Sequence, residues 1–191
     1  LLIGAVISST DAASVFSVLR SKKLNLRYGT ASILELESGS NDPWAYMLTV
    51  IILSVMKGGA TAGGFVVSLL AQVFFGVFFG ALISLGAVYL IKRVRFDAAG
   101  FDAIFVTAIA ILSYALPSAV GGNGYLSCYI VGIVLGNTKI SGKTALVHFF
   151  DGVTGLMQLL VFFILGMLCT PTKLIGVLLP ALGIAIFLTF L

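Results

Sequence analysis

The sequence predicts an all-α, polytopic membrane protein. Hydrophobic residues make up 60% of the chain and charged residues only 9%, and the mean hydropathy is +1.17. Soluble domains are about 45–50% apolar and about 25% charged, so a soluble core of 191 residues could not bury this much apolar surface. The apolar residues fall into runs, several of them near the roughly 20 residues that a membrane-spanning helix needs. The net charge of +4 does not indicate nucleic-acid binding, because the basic residues lie between these runs.

Seven candidate membrane helices follow one another along the chain. They cover residues 1–19, 31–56, 65–91, 101–117, 124–137, 145–169 and 174–191. Nine of the eleven Lys and Arg residues lie in the first, third and fifth connections. Short basic loops stay on the cytoplasmic side, so we expect loops 20–30, 92–100 and 138–144 to be cytoplasmic. The first helix then runs inward and the second outward. Both ends of the sequence fall in apolar runs, and we expect an internal piece of a longer protein.

A polar cluster, Glu37-Ser38-Gly39-Ser40-Asn41-Asp42-Pro43, lies in the second apolar run. The first run carries a matching group, Ser8-Ser9-Thr10-Asp11, near its middle. A charge at the bilayer centre costs about 2.5–3.5 kcal/mol on insertion scales, so such residues usually mark an ion or proton path. Interrupted helices at corresponding positions are the sequence pattern of a transporter binding site. We therefore predict that both helices are interrupted at one depth, the first near Thr10-Asp11 and the second within residues 37–43, and that the two groups form one site.

Asp42 is the best candidate for an ion-exchanging group. At the membrane midplane, desolvation favours the neutral acid, whereas a nearby cation favours the carboxylate. One carboxyl group can therefore exchange a proton for a monovalent cation. Thr10 and Ser38 offer hydroxyl oxygens, which hard cations bind. Alternatively, these hydroxyls satisfy backbone groups that a broken helix leaves free.

The other polar residues of the two groups have alternative or structural roles. Asp11 is either a second ion ligand or the N-cap of the helix half that follows the interruption. Asn41 is expected to form structural hydrogen bonds between the two groups, because an amide carries no exchangeable proton. Glu37 is expected to form a salt bridge with a basic residue outside this sequence, since no Lys or Arg occurs at mid-span. His148 and Asp151 share a helix face, and their roles stay open.

Glycine spacing predicts further packing features. Gly76 and Gly80, and separately Gly132 and Gly136, lie four residues apart in apolar runs, which favours close packing between helices of this chain. The run from Gly121 to Gly124 predicts a tight turn, because no strand precedes it and no Lys-Ser or Lys-Thr follows as in a phosphate loop.

The two polar groups resemble a known family. Ser-Ser-Thr-Asp-Ala-Ala at 8–13 followed by Glu-Ser-Gly-Ser-Asn-Asp-Pro at 37–43 is similar to the monovalent cation/proton antiporter-1 family, the NhaP and sodium/hydrogen exchanger group. Segments 122–126, 132–137 and 148–152 extend the similarity along essentially the whole chain. The resemblance is strongest to bacterial potassium/proton antiporters.

The resemblance implies a fold of about thirteen helices in inverted repeats, in which a transport core moves against a dimerisation domain. It assigns residues 1–56 to the ion-binding core and 57–100 to a linker helix and a cytoplasmic loop. Residues 101–173 would lie on the dimerisation side, and 174–191 would begin a further core helix. The full-length protein is then expected to be a homodimer in the cell membrane, without a resident cofactor.

The resemblance also implies a role for each residue of the site. Asp42 would be the essential ion- and proton-binding carboxylate, and Thr10 and Ser38 would supply oxygens to the bound monovalent cation. Asp11 would lie beside the site. The remaining two residues would be structural. Asn41 would brace the helix crossing, and Glu37 would pair with an arginine of the helix that starts at 174.

These features predict a secondary active transporter and not an enzyme. It would exchange K⁺ or Na⁺ for a proton, by competition of the two ions for Asp42. An amide at position 41 beside that acid resembles the electroneutral branch of the family. The alternative is an intramembrane aspartyl protease that uses Asp11 and Asp42. Those enzymes have Tyr-Asp and Gly-x-Gly-Asp patterns, whereas here the acids follow Thr10 and Asn41.

Overall fold

The computed structural model describes residues 1–10, 30–58, 62–93, 100–140 and 142–190. Helices account for nearly all of these residues, and no strand occurs among them, so the all-α prediction is confirmed. In chain order the helices are α1 (Leu2–Ile7), α2 (Thr30–Met56), α3 (Ala62–Arg93), α4 (Phe101–Ala119), α5 (Gly124–Asn137), α6 (Lys143–Leu168) and α7 (Pro171–Phe190).

Four of the described helices are long and apolar enough to cross a membrane, namely α3, α4, α6 and α7. Helix α5 is equally apolar but has only 14 residues. Helix α2 has 27 residues, and Glu37 and Asp42 interrupt its apolar character. The predicted polytopic membrane architecture is therefore confirmed.

The chain divides into two compact units, Leu1–Val147 and His148–Leu191. The first unit contains α1 to α5 and the polar groups at 8–10 and 37–43. The second unit contains most of α6 and all of α7.

Helix α1 ends where the sequence predicts a departure from helical structure. Its last residue is Ile7, and Ser8 to Thr10 are not helical. The Ser8 hydroxyl donates to the Ala5 carbonyl at 2.8 Å, which satisfies one of the free carbonyls of the helix end. The chain from 11 to 29 lies outside the described residues, and with it Asp11.

The predicted interruption of α2 within residues 37–43 is wrong. The helix continues from Thr30 to Met56 with Pro43 inside it. A proline removes one N–H, so only one carbonyl, that of Gly39, loses its helical donor. Pro43 is fully buried, and the Asn123 side chain donates to its carbonyl at 3.1 Å. Packing against neighbouring helices therefore holds α2 together through the proline.

Helices α1 and α2 run in opposite directions, as predicted. One cavity brings Leu1 to Ile3 together with Ile52, Val55 and Met56. Further along α1, the Ser9 hydroxyl donates to the Asp42 carboxylate. The residue numbers of the first segment increase along the contact while those of α2 decrease, so the two segments are antiparallel. The two polar groups therefore come together at one level.

The apolar core of the first unit lies between α3, α4 and α5. Its buried side chains are Ile83, Ala87, Ile109, Val131 and Leu135.

The close approach of α3 and α5 depends on small residues. A Cβ added at Gly76 would lie 3.0 Å from the Asn123 carbonyl oxygen, and one at Gly80 would lie 3.1 Å from Ile130 Cβ. The predicted close packing is therefore confirmed for this pair of glycines. Gly132 and Gly136 are exposed in the first unit, so the same prediction is not supported there.

The glycine run between α4 and α5 forms the predicted tight turn. Gly121 has a φ of 79°, a conformation that costs glycine little. The Gly122 amide donates to the Pro117 carbonyl at 2.7 Å, and a Cβ at Gly122 would lie 2.6 Å from Phe75 Cβ. The turn brings Asn123 to the start of α5, where its side-chain oxygen accepts a hydrogen bond from the Leu126 amide.

Candidate functional site

Helix α2 carries the candidate site on one face. With 3.6 residues per turn, Glu37, Ser38, Asn41 and Asp42 share one side of the helix, whereas Leu36, Gly39 and Pro43 share the opposite side. The first side meets the non-helical residues after α1.

Thr10 lies at the centre of the first hydrogen-bonded group. The Asn41 side-chain amide donates to the Thr10 hydroxyl at 2.6 Å and to the Glu37 carboxylate at 2.9 Å. The Thr10 hydroxyl lies 3.4 Å from the other Glu37 carboxylate oxygen and 3.3 Å from the hydroxyl of Ser38, which is buried. The Asn41 side chain therefore links Glu37 to Thr10 after the end of α1.

Asp42 has a different hydroxyl partner. Its carboxylate accepts a hydrogen bond from Ser9, one residue before Thr10. The Asp42 side chain is half-buried and lines a cavity of about 380 Å³. The other residues around this cavity are Val6, Ser9, Ala45, Tyr46, Thr49 and Tyr125. A carboxylate that borders a cavity is accessible to a proton or to a small cation.

One acceptor of the site lacks a partner. The Asn41 Oδ1 atom is buried and has no hydrogen bond to any of the described residues. Buried polar atoms are nearly always satisfied, so an orphaned oxygen beside a carboxylate is a place for a cation or a water molecule. The carboxylate, hydroxyl and amide oxygens at Asp42, Ser9 and Asn41 are hard donors, which favour ions such as Na⁺ and K⁺ over soft metals.

The residues of the predicted site fall into two neighbouring groups. Thr10, Ser38, Asn41 and Glu37 come together as expected, whereas the hydrogen bond shown for Asp42 comes from Ser9. Asp11 lies outside the described residues. Where the structure describes the chain, no group of three or more His, Cys, Asp or Glu residues could hold a metal ion.

Sequence reasoning missed three residues that contact this region. Ser9 lies inside the group Ser8-Ser9-Thr10-Asp11, so its position was available, but nothing in the sequence distinguishes it from Ser8. The sequence predicts that Asn123 belongs to a turn and that Tyr129 belongs to an apolar helix. Their contacts with α2 join positions 80 or more residues apart in sequence.

Comparison with known proteins identifies a family for this chain. The family model described as "Sodium/hydrogen exchanger, transmembrane" matches residues 1–191. The chain is 41% identical over 191 residues to the K(+)/H(+) antiporter NhaP2 of Shewanella oneidensis, a match that covers 97% of this chain and 32% of that protein.

Two further relatives carry related names. Identity is 36% over 192 residues to the K(+)/H(+) antiporter NhaP of Alkalimonas amylolytica, covering 100% of this chain and 33% of the relative. It is 26% over 194 residues to the Na(+)/H(+) antiporter NhaS2 of a Synechocystis species, covering 96% and 34%. The chain spans about a third of the length of the curated relatives that it matches. On the whole-length family match, this chain belongs to the transmembrane sodium/hydrogen exchanger family.

Proposed function

We propose that this chain forms part of the ion-binding region of a transporter that exchanges a monovalent cation for a proton. The observation that carries the proposal is Asp42, a half-buried carboxylate on an apolar helix that opens on a cavity and accepts a hydrogen bond from the Ser9 hydroxyl. The relatives named K(+)/H(+) and Na(+)/H(+) antiporters support the same reaction class.

In the proposed cycle the proton and the cation compete for Asp42. The protonated acid is neutral, and the carboxylate with a bound monovalent cation is also neutral, so both loaded forms carry the same net charge. Each form can therefore cross between the two sides of the membrane without moving charge, and exchange of one cation for one proton is electroneutral. The neutral side chain of Asn41 fits this scheme, because it adds no second titrating group.

The oxygens around Asp42 would replace part of the hydration shell of the cation. Ser9 is in direct contact, and Thr10, Ser38 and the free Oδ1 of Asn41 lie in the adjoining group. We propose that Asp11 adds a carboxylate beside these oxygens. Glu37 accepts hydrogen bonds from Asn41 and Thr10, both neutral donors. Neither of these partners is a cation, and we propose that Glu37 forms a salt bridge with an arginine outside this chain.

The same proposal includes the architecture of the full-length protein. Residues 1–56 belong to the transport core, 57–100 to a linker, 101–173 to the dimerisation side, and 174–191 to a further core helix. The protein is a homodimer in the cell membrane, with loops 20–30, 92–100 and 138–144 on the cytoplasmic side. The distribution of Lys and Arg supports this orientation.

The test is Asp42→Asn in the full-length protein, assayed for cation-dependent proton flux in everted membrane vesicles. We expect the flux to be lost, because the amide neither ionises nor carries an exchangeable proton. Asp102→Asn, in the first turn of α4, is the matched control and should keep its flux. Normal flux in the Asp42 variant would overturn the assignment.

A second measurement addresses electroneutrality. In proteoliposomes that contain the full-length protein, the rate of exchange should not change when a membrane potential is imposed at constant ion gradients. A rate that follows the potential would contradict one-for-one exchange. The same vesicles, loaded with K⁺ or Na⁺, identify the preferred cation.

The protease alternative gains nothing from the structure or from the comparisons. It requires Asp11 and Asp42 to share a site, and Asp11 lies outside the described residues. The three relatives compared are named antiporters.

A further inference from the structure

Helix α5 and its N-cap residue contact the main chain of α2 on the side opposite to Glu37 and Asn41, and Tyr125 of α5 also lines the Asp42 cavity. The Tyr129 hydroxyl donates to the Leu36 carbonyl at 3.3 Å. The side-chain amide of Asn123 donates to the Pro43 carbonyl at 3.1 Å. These carbonyls belong to residues seven positions apart, nearly two helical turns, so they lie on one side of α2. They bracket the segment from Glu37 to Asp42, which carries all the site residues of α2.

The contact between the two hydrogen bonds is also close. A Cβ added at Gly39 would lie 2.8 Å from the Cε2 atom of Tyr129, a distance that real side chains do not show. The tyrosine ring therefore rests on bare backbone at Gly39, one turn after Leu36 and one turn before Pro43. At all three points the contact is with the main chain of α2, and none of these contacts involves a side chain of the candidate site.

Asn123 is itself held from several directions. It is 1% exposed, and its backbone amide donates to the Gln72 carbonyl of α3 at 3.1 Å. Its side-chain oxygen accepts from the Leu126 amide at 3.1 Å, which caps α5. The side-chain nitrogen that points to Pro43 is therefore fixed relative to both α3 and α5.

We propose that Asn123 and Tyr129 are positioning residues for the ion site, because they set the height and the rotation of α2. Successive residues of a helix differ by about 100° around its axis, so a small rotation of α2 moves Asp42 away from Ser9 and Asn41 away from Thr10. The bond of 2.6 Å between Asn41 and Thr10 leaves little room for such a movement. This inference rests on the proposed function, since its effect is measured on exchange.

The alternative is that Asn123 serves only to cap α5 and fill the turn. The substitution Asn123→Ser separates the two roles. Serine is a good N-cap and can still accept from the Leu126 amide, but its side chain is too short to reach the Pro43 carbonyl. Tyr129→Phe removes the hydroxyl and keeps the ring on Gly39, so it tests the second hydrogen bond without disturbing the packing.

The experiment measures the apparent KM for K⁺ and the maximal exchange rate of the full-length protein in proteoliposomes, each normalised to folded protein. We expect each variant to raise KM by about two- to ten-fold, the range for loss of one neutral hydrogen bond, and the double variant to raise it further. Ser118→Ala, which removes a hydroxyl that donates to the Tyr114 carbonyl at 2.7 Å within α4, is the matched control and should leave KM unchanged.

Two results would overturn the inference. One is an unchanged KM in both variants, and the other is a lower yield of folded protein with a normal KM for the molecules that fold. Should Asn123→Ser fail to fold, Tyr129→Phe still decides between positioning and packing. Asp42→Asn, measured in parallel, separates the two proposals. Flux that survives in that variant refutes the proposed function, whereas lost flux there with normal KM in the α5 variants refutes the positioning role alone.

Discussion

Substitution of Gly39 by alanine tests the contact between α2 and α5 directly. The added Cβ would lie 2.8 Å from Tyr129 Cε2, 3.5 Å from Cδ2 and 3.7 Å from Cζ. Ordinary contacts begin near 3.4 Å, so the ring edge must retreat by about 0.6 Å. A movement of that size takes the Tyr129 hydroxyl, already 3.3 Å from the Leu36 carbonyl, beyond hydrogen-bonding distance.

The expected cost combines three effects. Overpacking of a filled contact costs about 1–3 kcal/mol, and loss of a neutral hydrogen bond costs about 0.5–1.5 kcal/mol. Alanine recovers up to about 1 kcal/mol through its higher helix propensity. We therefore expect Gly39→Ala to lose about 0.5–3.5 kcal/mol of folding free energy. It should also raise the apparent KM for K⁺, because it displaces the positioning contact.

The measurement is the free energy of unfolding of the purified full-length protein in detergent. Unfolding is induced by heat in one series and by denaturant in another. Gly86→Ala is the matched control, because Gly86 is an exposed residue of α3 and an added Cβ there meets nothing within 4 Å. Tyr129→Ala completes a double-mutant cycle. A Gly39 variant as stable as the Gly86 control would refute the reasoning, as would an equal cost of Gly39→Ala with and without the Tyr129 ring.

Two further substitutions test the two hydrogen-bonded groups of the site. Ser9→Ala removes the hydroxyl that donates to Asp42 and should weaken apparent K⁺ affinity about two- to ten-fold. Ser8→Ala, which loses a hydrogen bond to the end of α1, should change it less than two-fold, and equal changes would contradict the role of Ser9. Glu37→Gln keeps an acceptor for Asn41 but loses the charge, so we expect less folded protein and normal exchange per folded molecule. Full yield with lost exchange would instead assign Glu37 to transport.

Much of the fold follows from the sequence alone. Apolar runs separated by basic loops predict the helices from α2 to α7, with boundaries within three residues of those observed. These helices can be predicted without knowledge of tertiary contacts, because a membrane-spanning segment must form its backbone hydrogen bonds within itself. The meeting of the Thr10 group with the Glu37 group also follows, since charges and hydroxyls at equal depth gain from contact. The family could be identified from the same residues.

Other features depend on contacts that the sequence does not display. Pro43 reads as a helix breaker, but burial beside Asn123 lets α2 pass through it. The choice of Ser9 over Thr10 as the partner of Asp42 depends on how the chain leaves α1, and adjacent hydroxyls look alike in sequence.

The class of the protein and the polar residues of the candidate site follow from the sequence, because hydropathy and the positions of acids within apolar runs are properties of local composition. Tertiary structure alone decided which hydroxyl meets which carboxylate. It also decided which face of α2 is held by Asn123 and Tyr129. Those outcomes depend on the packing of α5, whose contacts with α2 join residues 80 or more positions apart, and no local pattern encodes such a register.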